Sequence, residues 1–374
     1  MIRHPFFCTL IMLLASIFFN FFSSPLNGLN EHDSTTSVCI ENPSDDLASL
    51  KNTLSKTSQA TAPSFTPDVL ISQQTPADIE LKTVLKDLCF EADATANPRA
   101  KVYNKAKNNY AAQEIILSTD DGFRISTLYF KRPNAQVNII YVTGYFEKLT
   151  PTKEWCAPFA ALFPTYNILA FDWRGFGSST GTAPAVFPLL TKGDFGTHAY
   201  PDIQAAIDFI RKDNDKPIVL QGFCAGAAMA LHATCQAQLH HRSTADALVI
   251  NSIFTKFENQ FNRAINAEDR WLHRQIFKLP IARRIAEYLM NGSLFDLDPI
   301  EMVKKITIPC YFEHFAGDPF AIIQEGREVY QAAKAPIKMF TESAIGRHVR
   351  IHTMAPAQYK AAFDAFLMRC GFIK

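Results

Sequence analysis

Residues 217–231 read Pro-Ile-Val-Leu-Gln-Gly-Phe-Cys-Ala-Gly-Ala-Ala-Met-Ala-Leu, and the rest of the chain is organised around them. Ile218 to Gln221 is a short apolar run with strand character. The small residues after Cys224 suit a helix pressed close to its neighbours. Between them stands G-x-C-x-G, a sharp strand-to-helix turn. Gly222 and Gly226 let the backbone fold tightly without a Cβ clash. A side chain at such a turn is pushed out of the sheet and exposed. The helix that follows aims its positive end at the Cys224 sulfur, which favours the thiolate. Cys224 is therefore a candidate nucleophile. Read in isolation, the motif fits better a turn whose cysteine is a small buried hydrophobe.

The flanking sequence repeats the strand-then-helix pattern. Glu114 to Ser118 and Phe123 to Phe130 read as strands joined by the turn Asp120-Asp121-Gly122. Val137 to Thr143 is an unbroken apolar run, as in a strand buried on both faces. A helix over Glu154 to Phe163, a strand over Tyr166 to Asp172 and a helix over Pro201 to Ile210 lead to the turn at Cys224. Beyond it, strands are expected at Ala247 to Ile253, Ile308 to His314 and Ile337 to Phe340, with helices near Gln324 to Ala333 and Ala357 to Leu367. Strands that first pair by a hairpin and then alternate with helices define an α/β class with a mostly parallel, doubly wound sheet. Ligands on such sheets bind beyond the carboxyl ends of the strands.

The N-terminal part differs. Arg3 and His4 precede an apolar run from Phe6 to Phe22, followed by small and turn-forming residues. Residues 1–28 thus read as a signal peptide or an uncleaved signal-anchor, which makes the chain exported, and membrane-associated through residues 6–22 if anchored. Residues 29–108 read as a polar spacer rich in Ser, Thr, Asn and Pro, then helical spacing from about Ala77, and 109–374 as the main domain. The formal net charge of +1 gives no electrostatic footprint for nucleic acid.

From about Glu114 to Phe372 the chain resembles the α/β-hydrolase superfamily. Four features carry the resemblance, in the family's order. Thr143-Gly144-Tyr145-Phe146 follows a central strand where the family keeps an oxyanion-hole loop, with Thr143 in place of the usual His. Asp172-Trp173-Arg174-Gly175-Phe176-Gly177-Ser178-Ser179 matches the family's D-x-R-G-x-G-x-S loop. G-x-C-x-G matches its nucleophile elbow, with cysteine for serine. The strand ending at His314 leads into Phe315-Ala316-Gly317-Asp318, and Gly346-Arg347-His348 precedes the last helix, as the family's acid and base do.

The resemblance implies a Cys224-His348-Asp318 triad, with His352 the competing base, and the Tyr145 and Ala225 amides as oxyanion donors. It also implies an inserted helical cap at about 254–299, which in the family roofs the site. Its Phe254, Phe257, Phe261 and Ile265 recur at helical spacing. The loop and cap are similar to those of serine aminopeptidase-like and monoacylglycerol-lipase-like members, and the cysteine to that of dienelactone hydrolase-like members. A thiolate is a good nucleophile and a good leaving group. Ester, lactone or thioester hydrolysis therefore ranks above amide cleavage, where the intermediate would expel the thiolate instead of the amine. The expected partner is a small or lipid-like acyl substrate. No cofactor is implied, and the eight cysteines show no zinc-ligand spacing. A second reading from another class stays open: a hydrolase fold that has lost its serine and now binds or scaffolds.

Overall fold

The run Asn138–Val142 is buried at every position, and so are Asn167–Phe171, Ile218–Phe223 and Ala247–Asn251. Strands without an exposed face need helices on both sides. The computed structural model supplies them. It describes residues 69–71, 112–144, 152–183, 191–266, 274–275 and 278–374. All of these fall in one unit. The strands are β1 (Val69–Ile71), β2 (Gln113–Ser118), β3 (Arg124–Phe130), β4 (Asn138–Val142), β5 (Asn167–Phe171), β6 (Ile218–Phe223), β7 (Ala247–Asn251), β8 (Cys310–Phe315) and β9 (Lys338–Ser343). The main helices are α1 (Thr152–Leu162), α2 (Tyr200–Asp213), α3 (Ala225–Leu239), α4 (Phe257–Asn266), α5 (Pro280–Leu289), α6 (Pro299–Val303), α7 (Ile323–Ala332), α8 (Ile351–Met354) and α9 (Pro356–Arg369).

The sheet order is β1-β9-β8-β7-β6-β4-β5-β3-β2. The β2–β3 hairpin and the β3–β5 pair are antiparallel, and every other pairing is parallel. After β5 the chain crosses back to the other side of β4, so the direction of winding reverses between β4 and β6. The crevice at the carboxyl ends of these two strands is where doubly wound sheets bind ligands. Gly144 and Cys224 lie there.

Alternate residues of the central strands feed two cores. Ile140, Val142, Leu220 and Ile250 face α2, α3 and α7. Ile139, Tyr141, Val219 and Val249 face α1 and α9 through Phe159, Phe163, Tyr359, Phe363 and Phe366. The alanines of α3 let it sit close to the sheet. A Cβ on Gly226 would lie 2.2 Å from the Thr143 carbonyl oxygen, and one on Gly222 would lie 2.6 Å from the Ala227 Cα. Both obstacles are backbone, which has nowhere to move.

Several element bounds differ from the sequence reading for physical reasons. The strand before Cys224 continues through Phe223, because Phe223 still pairs with Asn251. The last strand runs on to Ser343, because it pairs with β8 as far as Phe315. Val69–Ile71, inside the stretch read as a spacer, adds a parallel edge strand to β9. A three-residue run is too short to announce itself by alternation. The expected signal segment at 1–28, the rest of the spacer and the helices expected before 108 lie outside the described residues. Among those described, no helix is long and apolar enough to cross a membrane.

The D-x-R-G-x-G-x-S loop braces the crevice. Arg174 is almost wholly buried. Its Nε and Nη2 donate to Asp202 Oδ1 at 2.8 and 2.7 Å, and the Arg174 backbone N–H donates to Asp202 Oδ2 at 3.0 Å. Its Nη1 donates to Asp121 Oδ2 at 2.5 Å, and its guanidinium lies 4.2 Å from the Phe123 ring centre. Next to it, Trp173 Nε1 donates to the Thr143 carbonyl at 3.3 Å. One loop thus ties the hairpin, α2 and the turn after β4 into a single support.

Candidate active site

Cys224 occupies the turn between β6 and α3 with φ 53 and ψ −120, a backbone conformation that L-residues with side chains rarely hold. It persists because both flanks are fixed. Its N–H donates to the Asn251 carbonyl at 2.9 Å, and its own carbonyl accepts from Ala227 N at 3.0 Å. The strain aims the sulfur out of the sheet end, where it is partly exposed. Ala225 opens α3, so its N–H has no acceptor inside the helix. Gly144 packs beside it: a Cβ there would lie 3.3 Å from Cys224 Cβ and 3.9 Å from Ala225 N. The loop after β4 and the start of α3 therefore flank the sulfur as an oxyanion pocket requires. Tyr145, expected as the other donor, lies outside the described residues.

The acid and base come from the ends of β8 and β9. Asp318 Oδ1 accepts the N–H groups of Phe320 and Ala321 at 2.9 and 3.0 Å, which leaves Oδ2 free to accept from His348 Nδ1 at 2.7 Å. On its other side the imidazole is close enough to the Cys224 sulfur for that sulfur to raise its pKa. The three expected triad residues thus form one chain of contacts. Val349, just after His348, has φ 54, unusual for a β-branched residue, and marks the bend that turns the imidazole inward.

Electrostatics follow this geometry. Burial alone would lower the His348 pKa, but the Cys224 sulfur and the Asp318 carboxylate outweigh it and push the imidazole up to about 10. Burial would raise Asp318, yet the His348 contact holds it below the ordinary carboxylate range. A proton bound more tightly in the folded than in the unfolded state favours folding. This contribution is whole below the ordinary value of 6.5 and is lost as the pH rises to about 10. In an NMR titration, the His348 imidazole of the intact chain is expected to titrate far above pH 7. In Asp318→Asn the midpoint should fall, because the carboxylate that supports the imidazolium is gone. An unchanged midpoint would remove Asp318 from the chain.

His352, the competing base, is in the wrong place. It is packed among Phe159, Phe223 and Tyr359, with ring centres 5.4 to 5.8 Å away. Burial, helped by Arg350, lowers its pKa to about 3, so it stays neutral. His314 is a strand-end residue that holds the acid loop through Ala321 O at 2.5 Å.

Two features were not read from the sequence. The first is Gln260, on α4, whose Nε2 donates to Cys224 Sγ at 2.9 Å. Its signal was available: Phe257, Gln260 and Phe261 share one helical face, and Gln260 is the polar interruption. The second is Glu325 on α7. It accepts from Asn259 Nδ2 at 2.9 Å and Thr255 Oγ1 at 3.2 Å, and it pairs with Arg263. Arg263 Nε in turn donates to the Phe320 carbonyl at 2.6 Å, within the acid loop. α4 is thereby strapped to the loop that carries Asp318. The expected cap aromatics Phe254 and Phe257 are buried within the molecule, and Phe257 and Phe261 pack edge-on against Phe295.

A strained turn after a central parallel strand, an acid after β8 and a histidine before the last helix lie together at the reversal point of the sheet. The chain has the α/β-hydrolase fold, and the sequence model of the family described as alpha/beta hydrolase fold matches residues 138–281. Among curated proteins, lysophosphatidylserine lipase ABHD12 of Macaca fascicularis is 28% identical over 188 residues, 47% of this chain and 40% of its own length. The chain thus spans about two fifths of that relative. The uncharacterized protein YfhR of Escherichia coli O157:H7 is 24% identical over 252 residues, 65% of this chain and 75% of its own length. Among solved structures, the esterase Pf2001 of Pyrococcus furiosus superposes with a TM-score of 0.54 at 18% identity, covering 70% of this chain and 93% of that one. The α/β hydrolase GrgF from Penicillium sp. sh18 gives 0.51 at 14% identity, covering 69% and 98%. At these identities the two structures bear on the fold alone.

Proposed function

We propose that this chain is a hydrolase of carboxylic esters, lactones or thioesters that works through Cys224, His348 and Asp318. The observation that carries the reading is the continuous contact chain from Asp318 through His348 to a cysteine held in strained geometry at the helix start. In the first half-reaction the proton resides on His348, paired with the Cys224 sulfur, and the sulfur attacks the carbonyl carbon. The Ala225 N–H is placed to stabilise the oxyanion, with Tyr145 as the other donor by resemblance. Collapse breaks the bond to the leaving group, which departs with the His348 proton and leaves a thioester on Cys224. In the second half-reaction His348 takes a proton from water, the hydroxide attacks the thioester, and the acid and the free thiol are released. Asp318 holds the imidazole in the tautomer this needs and supports its charge.

The name of the curated relative points the same way, since a lipase cleaves esters. The substrate is a small or lipid-like acyl compound, and the chain acts after export, secreted or held at a membrane by residues 6–22, on the strength of the N-terminal sequence pattern. The test is active-site titration. The intact chain is incubated with iodoacetamide while hydrolysis of short- and medium-chain aryl esters and thioesters is followed. Turnover is expected to fall in step with alkylation of Cys224, the fastest-reacting thiol. Turnover that survives full alkylation of Cys224 would sink the proposal. A chain with no turnover, and a Cys224 no more reactive than an ordinary thiol, would favour the binding or scaffold reading.

A further inference from the structure

Gln260 is 7% exposed, yet its two amide atoms are treated differently. Nε2 donates to Cys224 Sγ at 2.9 Å, a close approach for a sulfur acceptor. Oε1 is buried, and no described group donates to it. An unmatched buried acceptor is costly, so a native chain that keeps one beside a reactive atom has a use for it. The amide is not loosely placed. The neighbouring helical residues Asn259 and Arg263 are tied to Glu325 on α7, and Phe257 and Phe261 on the same face pack against Phe295. The side chain therefore sits on a fixed platform with its acceptor one amide carbon away from the donor that touches the sulfur.

We propose that Gln260 is a catalytic and specificity residue: its Nε2 stabilises the Cys224 sulfur as an anion, and its Oε1 accepts a hydrogen bond from the substrate. The inference rests on Cys224 being the nucleophile. It narrows the substrate to acyl compounds bearing a hydroxyl or N–H close to the scissile carbonyl, on the carbon next to it or a short way along the leaving group. A substrate with such a donor completes the pairing of Oε1. One with a methyl group in its place leaves the acceptor buried and unmatched, the situation in which polar sites discriminate most strongly.

The test uses the intact chain, Gln260→Met, which keeps size and shape but has neither amide atom, and Gln260→Glu, which is isosteric and places a negative charge near the sulfur. The first readout is the pH profile of Cys224 alkylation by iodoacetamide. It should move to higher pH in Gln260→Met and further in Gln260→Glu, whereas a purely structural role would move neither. The second readout is kcat/KM for matched pairs. The acyl-side pair is p-nitrophenyl 2-hydroxypropanoate against p-nitrophenyl 2-methylpropanoate. The leaving-group pair is the 2-hydroxyethyl against the propyl thioester of butanoic acid. The wild type should favour the hydroxyl member of one pair by about tenfold or more, and Gln260→Met should lose that preference. Which pair shows it identifies the side on which the donor sits. Unmoved alkylation profiles in both variants, or no hydroxyl preference in either pair for an active wild type, would overturn the proposal. A wild type inactive on all four compounds, with an ordinary Cys224, would instead overturn the nucleophile itself. Circular dichroism of each variant separates either result from misfolding, and Gln260→Glu keeps the test open if Gln260→Met does not fold.

Discussion

Cys224→Ala is expected to lower kcat by roughly 10⁴-fold or more, to the residue of rate that binding and the oxyanion donors supply without a nucleophile. The same position should show the opposite effect on stability. At φ 53 and ψ −120 a side chain of any kind strains the backbone, and only glycine relieves it. Strain of this kind costs about 1–3 kcal/mol, so Cys224→Gly should be more stable than Cys224→Ala by about 1–2 kcal/mol, with both equally inactive. The alanine–glycine comparison isolates the backbone, because neither variant has a sulfur. Urea denaturation and ester turnover measured on the pair check both halves. Equal stability would mean that the elbow is not strained, and turnover kept in the alanine variant would mean that the sulfur is not the nucleophile.

Arg174→Met should be the most damaging change away from the site. The guanidinium and the Asp202 carboxylate are both about wholly buried, at 1% and 0% side-chain exposure. Burial already pushes the Asp202 carboxyl up to about 6, with the guanidinium pulling it back. Removing the arginine leaves a buried carboxylate without its partner, which typically costs about 3–5 kcal/mol. That is a large share of the ~5–15 kcal/mol that a folded domain has in hand. The deficit has a pH signature with a definite sign. An unpaired Asp202 has a folded pKa still further above its ordinary value, so the folded state gains on the unfolded one as pH falls and the carboxyl takes up its proton. Urea midpoints measured from pH 8 down to 5 should show Arg174→Met recovering part of its loss at the acid end. The double variant Arg174→Met, Asp202→Asn should recover part of it at every pH. A single variant whose midpoint matches the wild type would show that the pair contributes nothing.

Much of the frame was legible in the residues because it depends on local rules. Ile139 to Val142 are apolar at every position, and only a strand covered on both faces needs that. The spacing of Gly222, Cys224 and Gly226 announced a turn, and the loops carrying Asp318 and His348 were placed by their positions after the last strands. What stayed hidden depends on contacts between distant segments. Glu313 is an example: from sequence it is a strand residue like its neighbours. In the fold it is fully buried behind Asn251, whose Nδ2 donates to its Oε2 at 2.8 Å, and burial pushes its carboxyl up to about 8. Nothing local to residue 313 signals that. The sequence prefers His348 to His352, four residues on, by its place after Gly346 and before the last helix, and packing adds what sequence lacks: one meets a carboxylate and the other is enclosed by aromatic rings. Gln260 was passed over for the same reason, since a polar residue in an aromatic helix acquires meaning only when the facing atom is known.

The strap between α4 and the acid loop has a consequence for how such a chain can change. Arg263 grips the loop that carries Asp318, and Glu325 gathers Thr255, Asn259 and Arg263 onto the body. α4 is therefore held to the loop that carries Asp318 and is poorly suited to swing away from it. The later helix, α5, carries no such strap to the acid loop among the described residues, and it leaves Ile281 and Tyr288 exposed on its outer face. A substitution on the outer face of α5 disturbs none of these ties, while one on the inner face of α4 reaches both the acid loop and the Cys224 sulfur.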